Sequence, residues 1–240
     1  MTGDEANPVV GWSRLHGEDV SASRLVVGWL RFVHALARLF DRVHPDVLSA
    51  AGVVVAGGAV VAAGAGGRWA LLALVLVVAT GVFDGLDGAV ALRTGRVRPL
   101  GAVVDAVADR LTDLLLVLVL LVLGAGAWWC AAIGAAVLVH EYARAKAQAV
   151  GMRSAGAITA AERPTRVIVV AIACLGTGLA PGGTPVTGWS WAVVSAVVWA
   201  GCTLVGFGQL AAGVRRELSG RPWTGPFASG RSDQAGDDPR

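Results

Sequence analysis

Residues Phe83 to Asp109 read FDGLDGAVALRTGRVRPLGAVVDAVAD, and the four aspartates in this stretch decide how the whole chain is read. Asp84 and Asp87 close one long apolar run, and Asp105 and Asp109 open the next. A carboxylate at membrane depth costs about 2.5–3.5 kcal/mol. Several of them close together need a compensating positive charge. Spacings of three and four residues put each pair on one helical face. Two such helices side by side gather a cluster of hard oxygen ligands, which suits Mg²⁺ or Mn²⁺.

Outward from this stretch, the chain of 240 residues is 55% hydrophobic and 15% charged. A soluble domain of this length would not carry so many long apolar runs. The expected fold is an all-α membrane protein with one helical domain. The start, MTGDEANP, is acidic and polar, with no basic region ahead of an apolar core, so no signal peptide is expected. Cys130, Cys174 and Cys202 all lie in apolar runs. They read as small buried hydrophobes rather than as disulfides or metal ligands.

Six transmembrane helices are expected, near Asp46–Ala65, Trp69–Leu92, Gly101–Leu123, Trp128–Ala149, Arg166–Ala180 and Trp189–Val214. Most reach the roughly 20 residues a bilayer needs, and the fifth is short. Ahead of them, Ser23 to Asp41 has helical periodicity. Arg24, Arg31 and Arg38 share one side with His34, while Val27, Leu30, Val33, Leu36 and Phe40 fill much of the rest. That pattern predicts an amphipathic helix over 23–41 lying in the membrane interface. The six-helix domain is bounded at 45–216. Residues 1–22 read as a polar N-terminal tail, and 217–240, rich in Gly, Ser, Pro and charge, as a disordered C-terminal tail.

Arginine and lysine set the expected orientation. Basic residues crowd the N-terminal segment, the connection holding Arg93, Arg96 and Arg98, the region Arg144 to Arg166, and the end at Arg215, Arg216 and Arg221. The opposite connections hold only Arg68. Both termini and the aspartates should therefore face the cytoplasm, in a multi-pass protein of the cell membrane. Trp69, Trp128, Trp129, Trp189 and Trp191 fall at the expected outer boundary, as an aromatic belt would.

As spacings, the opening stretch is D-x2-D-G-x2-A-x9-G-x3-D-x3-D. It resembles the signature of the CDP-alcohol phosphatidyltransferase family, D-x2-D-G-x2-A-R-x8-G-x3-D-x3-D. Asp84, Asp87, Gly88, Ala91, Gly101, Asp105 and Asp109 fall in register, and the helical layout extends the likeness over about residues 20–215. The resemblance implies an integral-membrane enzyme of phospholipid synthesis. It would move a phosphatidyl group from a CDP-linked lipid, CDP-diacylglycerol, to a polyol or polyol phosphate, releasing CMP. It implies Asp84, Asp87 and Asp105 as metal ligands, with Asp109 beside a second ion and the candidate general base. Two Mg²⁺ or Mn²⁺ ions and a homodimer are expected on the same ground. Gly88, Ala91 and Gly101 would let the nucleotide approach the backbone closely.

One position departs from the signature. The arginine after the alanine is Leu92 here, with Arg93 following. One residue is a 100° rotation on a helix, so Arg93 does not simply take the same place. Arg93, from another direction, or Arg110 is expected to serve the nucleotide instead. Asp113 and Glu141 lie nearby and read equally as orienting groups or as a structural ion pair.

A basic cluster follows the fourth span: Arg144 and Lys146 end a helix, and Arg163 and Arg166 open the next. Two readings stand. These residues mark the cytoplasmic flank, or they clamp an acceptor phosphate with charge-assisted bonds. The arrangement, with its Glu-Arg-Pro-x-Arg run, is similar to the actinobacterial phosphatidylinositol-phosphate synthase branch, where the acceptor is inositol phosphate. Here the basic pair is Arg then Lys, the reverse of that branch. Glycerol 3-phosphate is the alternative acceptor. From other classes, a divalent-cation transporter and an inactive scaffold of the same fold are the rivals. No nucleic-acid partner is expected.

Overall fold

The computed structural model describes residues 24–152 and 162–219. The expected polar tail over 1–22, all but the start of the tail expected over 217–240, and Arg153 lie outside the described residues. Among the described residues the chain is helical, with no strand. Helix α1 spans Arg24–Ala37 and runs into a 3-10 turn, Arg38–Phe40. Then follow α2 (Pro45–Gly64), α3 (Trp69–Thr94), α4 (Pro99–Val122), α5 (Ala127–Ala149), α6 (Arg163–Leu179) and α7 (Trp191–Leu218).

Their ends obey ordinary helix chemistry. Pro45, Pro99 and Pro164 sit in first turns, where their missing N–H costs nothing. The His44 ring accepts from the Asp46 N–H at 3.2 Å, and the Ser190 hydroxyl from that of Val193 at 3.2 Å. Gly95 ends α3 in the left-handed conformation, at φ +66°, that glycine adopts freely.

Among the described residues, three helices are long and apolar enough to cross a membrane: Pro45–Gly64, Trp69–Thr94 and Trp191–Leu218. The other three of the expected six form as helices, but each has a reason to read less clearly. The first two-thirds of α4 carries Asp105, Asp109, Arg110 and Asp113, and the second half of α5 carries Glu141, Arg144 and Lys146. Helix α6 has only 17 residues. The outer surface is apolar, with Val54, Val61 and Leu204 each more than 70% exposed. That pattern is costly in water and natural in lipid.

Helices meet through small residues, as they do where lipid rather than water surrounds them. Ala56, Ala59, Ala63, Ala70 and Ala73 are fully or almost fully buried, and α2 packs closely on α3 and α4. A Cβ at Gly176 would lie 2.1 Å from the Trp191 ring, so α6 and α7 can touch only because Gly176 has none. Trp191 is thereby held in the packing, its Nε1 donating to Ala180 O at 3.1 Å. Trp69, Trp128 and Trp129 are exposed in first turns, and Trp189 is exposed just ahead of α7. The main core joins Val77, Leu116, Leu120, Ile133, Val170 and Trp199. A second, smaller core seats α1 through Val33 and Ala37 on Leu48, Leu86 and Val90.

Packing sets the helix directions. Ser49, near the start of α2, meets Asp87, near the end of α3, with 2.5 Å between Oγ and Oδ2. Gly178, at the end of α6, abuts Leu71, at the start of α3. So α3 runs antiparallel to both neighbours. The starts of α2, α4 and α6 and the end of α3 therefore collect the polar residues at one end of the bundle.

Candidate active site

Helices α3 and α4 barely touch; α2 braces both from one side and α6 from the other. The gap between them is a cavity of about 980 Å³. Asp84, Asp87, Asp105 and Asp109 all line it. Asp84, Asp105 and Asp109 each offer a carboxylate oxygen, and these atoms lie within 4.8 Å of one another. Asp87 is turned differently: it accepts from Ser49 Oγ at 2.5 Å and from the Gly88 N–H at 2.6 Å. It lines the cavity without joining that set of three.

The donor set fits a divalent cation. It offers only hard oxygens, which is what Mg²⁺ and Mn²⁺ select. It also already draws a positive group: Arg163 Nη1 lies 2.9 Å from Asp84 Oδ1 and in contact with Asp109 Oδ1. Arg110 Nη2 also lies 3.7 Å from Asp109 Oδ2, and two guanidiniums still leave the four carboxylates in excess.

The other expected site residues separate into two groups. Gly88, Ala91, Gly101 and Arg163 line the cavity. At Gly88 nothing stands within 4 Å of the place a Cβ would take. At Gly101 a Cβ would lie 3.3 Å from Arg98 Cγ, and Arg98 crosses there to pair with Asp46. Arg144 is half-buried, 3.7 Å from Glu162, which lines the cavity. Lys146 is exposed and outside the lining.

Arg93, Arg110 and Arg166 do not reach the cavity. Arg93 turns back to Asp41, with bonds of 3.1 and 3.0 Å. The one-residue offset from the family's position is a 100° rotation, and it aims this side chain at the turn after α1. Arg166 is 2% exposed. Its Nη1 donates to Asp113 at 2.5 Å and its Nη2 to Glu141 at 2.7 Å. Arg110 completes the set, 3.0 Å from Glu141 and 3.3 Å from Asp113. The expectation that Arg166 helps clamp a phosphate is not met, because buried carboxylates of α4 and α5 hold its guanidinium. The ion-pair reading of Asp113 and Glu141 is the one the structure bears out.

Several lining residues escaped the sequence reading. Arg96 and Arg98 read there only as topology signals, and Trp29, His34 and Ser49 carried no role. Asp46 had a signal: a carboxylate at the second position of an apolar helix asks for a partner, and Arg98 is that partner.

A helical membrane bundle with a carboxylate-lined cavity at one end defines the general class, and comparison with known proteins defines the family. The sequence pattern of the CDP-alcohol phosphatidyltransferases matches residues 42–205, and the chain belongs to that family. An archaetidylinositol phosphate synthase of Aeropyrum pernix is 30% identical over 146 residues, 58% of this chain and 73% of the relative. A phosphatidylinositol phosphate synthase of Mycobacterium marinum is 34% identical over 136 residues, 48% of this chain and 53% of the relative. Among solved structures, the phosphatidylinositol phosphate synthase of Mycobacterium tuberculosis with manganese and citrate superposes with a TM-score of 0.61 at 26% identity, covering 83% of this chain and 92% of that one. The same enzyme with CDP-DAG bound gives 0.60 at 27% identity, covering 84% and 98%. The protein is therefore a membrane phosphatidyltransferase of phospholipid synthesis that works with a divalent metal.

Proposed function

We propose that this enzyme transfers the phosphatidyl group of CDP-diacylglycerol to inositol phosphate, releasing CMP. The shape and lining of the cavity carry the proposal. One end is charged, with the aspartates, Arg96, Arg98 and Arg163; the other is apolar, with Val78, Gly81, Val167, Ile168 and Ala171. A donor with a nucleotide diphosphate head and two acyl chains has the same two ends. The names of the synthases described above support this donor and acceptor.

The residues take their roles from where they stand. Asp84, Asp105 and Asp109 would hold the metal, with Asp87 as a further ligand after turning from Ser49. When bound, a divalent ion supplies positive charge to the diphosphate as the P–O bond to CMP breaks. Gly88, Ala91 and Gly101 leave room for the cytidine and its phosphates to lie against helix backbone. Arg96 and Arg98 stand in the cavity where Arg93 was expected. Arg163 would bind the acceptor phosphate by charge-assisted bonds, with Arg144 held close by through Glu162. The acceptor hydroxyl attacks the lipid-side phosphorus and its proton passes to Asp109, while CMP leaves with the bridging oxygen.

The same reading covers the finer architecture. Six helices, α2 to α7, span the membrane as one domain over 45–216. Helix α1 lies in the interface, where exposed Phe32 and Leu39 can enter lipid. The termini and the site face the cytoplasm, and two chains form a homodimer, as the family likeness implies. A cysteine placed at Gly126 should react in intact cells with an impermeant reagent, and one at Gly95 should not.

CMP release from CDP-diacylglycerol by the purified protein with Mn²⁺ tests the chemistry, using inositol phosphate, inositol and glycerol 3-phosphate in turn. Inositol phosphate should be used far better than inositol. Equal use of those two, or better use of glycerol 3-phosphate, would overturn the acceptor assignment.

A further inference from the structure

Arg93 stands one residue after the position, Leu92, where the family signature has its arginine, and its bonds go elsewhere. Its Nε donates to Asp41 Oδ1 at 3.1 Å and its Nη2 to Asp41 Oδ2 at 3.0 Å. Two parallel bonds between planar groups fix orientation as well as distance. This fork ties the last turn of α3 to the turn that follows α1. A second tie runs beside it, from Arg96 Nη1 to Val43 O at 3.2 Å. Bonding to Arg93 also holds the Asp41 carboxyl below its ordinary pKa, so the acid stays charged for its partner.

The helix held in this way is a wall of the cavity, to which α1 contributes Trp29, Val33 and His34. Both Val33 methyls lie 3.3 Å from the place of a Cβ at Gly85, next to Asp84. Among the described side chains of α1 and the turn after it, Val33 and Ala37 are buried, Leu36 and Phe40 pack beside them, and Phe32 and Leu39 are exposed. Apolar contact is non-directional and leaves a helix free to rock about its axis, and a fork just past its end removes that freedom.

We infer that Arg93 and Asp41 are a positioning pair: their fork sets the angle of α1 and so shapes the wall against which the CDP-lipid lies. The inference rests on reading the cavity as the donor's site. It gives the departure at Leu92 a different outcome from the one the sequence invites. The displaced arginine shapes the donor pocket through α1 and does not touch the nucleotide.

The test is a charge swap. Donor KM, acceptor KM and kcat are measured for Arg93→Ala, Arg93→Lys, Asp41→Ala and the double variant Arg93→Asp with Asp41→Arg. A nitroxide at Arg31→Cys, an exposed position of α1, reports the mobility of that helix in each. Both alanine variants should raise donor KM equally, by about fivefold, the upper range for a partly exposed ion pair. Acceptor KM and kcat should stay near those of the parent. Lysine cannot form the fork and should recover only part of the loss, and the swap should recover most of it. Nitroxide motion should rise in the single variants and fall back in the swap. A rise in donor KM for Arg93→Ala but not Asp41→Ala, worsened by the swap, would overturn the inference by placing Arg93 on the donor itself. Unchanged KM and unchanged mobility in both alanine variants would overturn it too, leaving a surface ion pair. Should the parent protein release no CMP from any CDP-lipid, the donor reading fails, and the nitroxide still decides whether the fork holds α1.

Discussion

Two acid–arginine clusters lie one helical turn apart on α4, and they are built to opposite rules. Nearer the end of the bundle, Asp84, Asp87, Asp105 and Asp109 face a cavity with Arg163 as the guanidinium among them. One turn deeper, Asp113 and Glu141 meet Arg110 and Arg166, two acids against two bases. The deeper cluster is balanced, with Asp113 and Arg166 almost fully buried, and it meets the outer one where Arg110 reaches Asp109 at 3.7 Å. The outer cluster is unbalanced and open. A buried set whose charges cancel is framework, since nothing from outside is needed to complete it. An open set with excess carboxylate is completed only by added cations, and that is what a metal-dependent transferase requires.

The sharpest way to break this comparison is to remove one charge from the outer set. Asp84→Asn and Asp105→Asn each replace a ligand with a near-isosteric amide. Transfer should fall at least about a hundredfold, since even groups that merely orient metal ligands are worth 10–100-fold. Folding should be untouched, because Asp84 and Asp105 line the cavity and an amide of the same shape fills the same space. EDTA should give the same loss, and added Mn²⁺ should restore the parent protein but not the variants. Near-parent CMP release from a well-folded Asp105→Asn protein would remove the metal assignment.

Removing one charge from the inner set should do the reverse. Arg166→Ala leaves Asp113 and Glu141 sharing Arg110 alone, deep in the bundle. Breaking one side of a buried ion pair costs about 3–5 kcal/mol, and thermal unfolding in detergent reads it directly. Pairing Arg166→Met with Asp113→Leu removes one charge of each sign and should recover most of the loss. A stable Arg166→Ala protein with a raised acceptor KM would return Arg166 to the phosphate clamp that the sequence suggested.

The contrast also shows what could be read from residues in order. The helices were legible because long apolar runs broken by Pro, Gly and arginine leave little choice. The aspartate motif was legible because its spacing fixes a helical face. The fate of the arginines was not. Arg163 and Arg166 are three apart on one helix, and the sequence treats them alike; only packing against α4 and α5 buries one and opens the other. Arg93 and Asp41 are 52 residues apart, and nothing local pairs them. Arg98 and Asp46 are equally remote in sequence. Partnerships of this kind belong to tertiary structure, so a count of basic residues near a membrane end gives orientation but no role.

Arg163 is where the two rules meet, since it is an arginine placed in the open set. Arg163→Ala should leave folding intact and raise the acceptor KM by roughly tenfold or more, the scale of a lost charge-assisted bond. Donor KM should change little. Steady-state kinetics with inositol phosphate as the varied substrate reads the effect. A stability loss as large as that of Arg166→Ala would mean that Arg163 belongs to the framework instead.

The smallest expected effect concerns His34, a half-buried wall residue of the cavity. Burial, with help from the charges of Arg93 and Arg38, lowers its pKa below the ordinary 6.5. The folded protein therefore prefers the neutral ring, and the unfolded chain takes up the proton first. The stability this lends to the seated α1 is complete above about pH 6.5 and is lost as pH falls through the lowered value. Donor KM should be flat above that range and rise by no more than about fivefold below it, the scale of a partly exposed charge. Acceptor KM is the wrong readout, because a phosphate monoester itself titrates near pH 6. His34→Gln keeps a polar side chain that does not titrate, so its donor KM should stay flat across the same range. A variant profile with the same acid rise would assign the titration to another group of the site and leave His34 as passive wall.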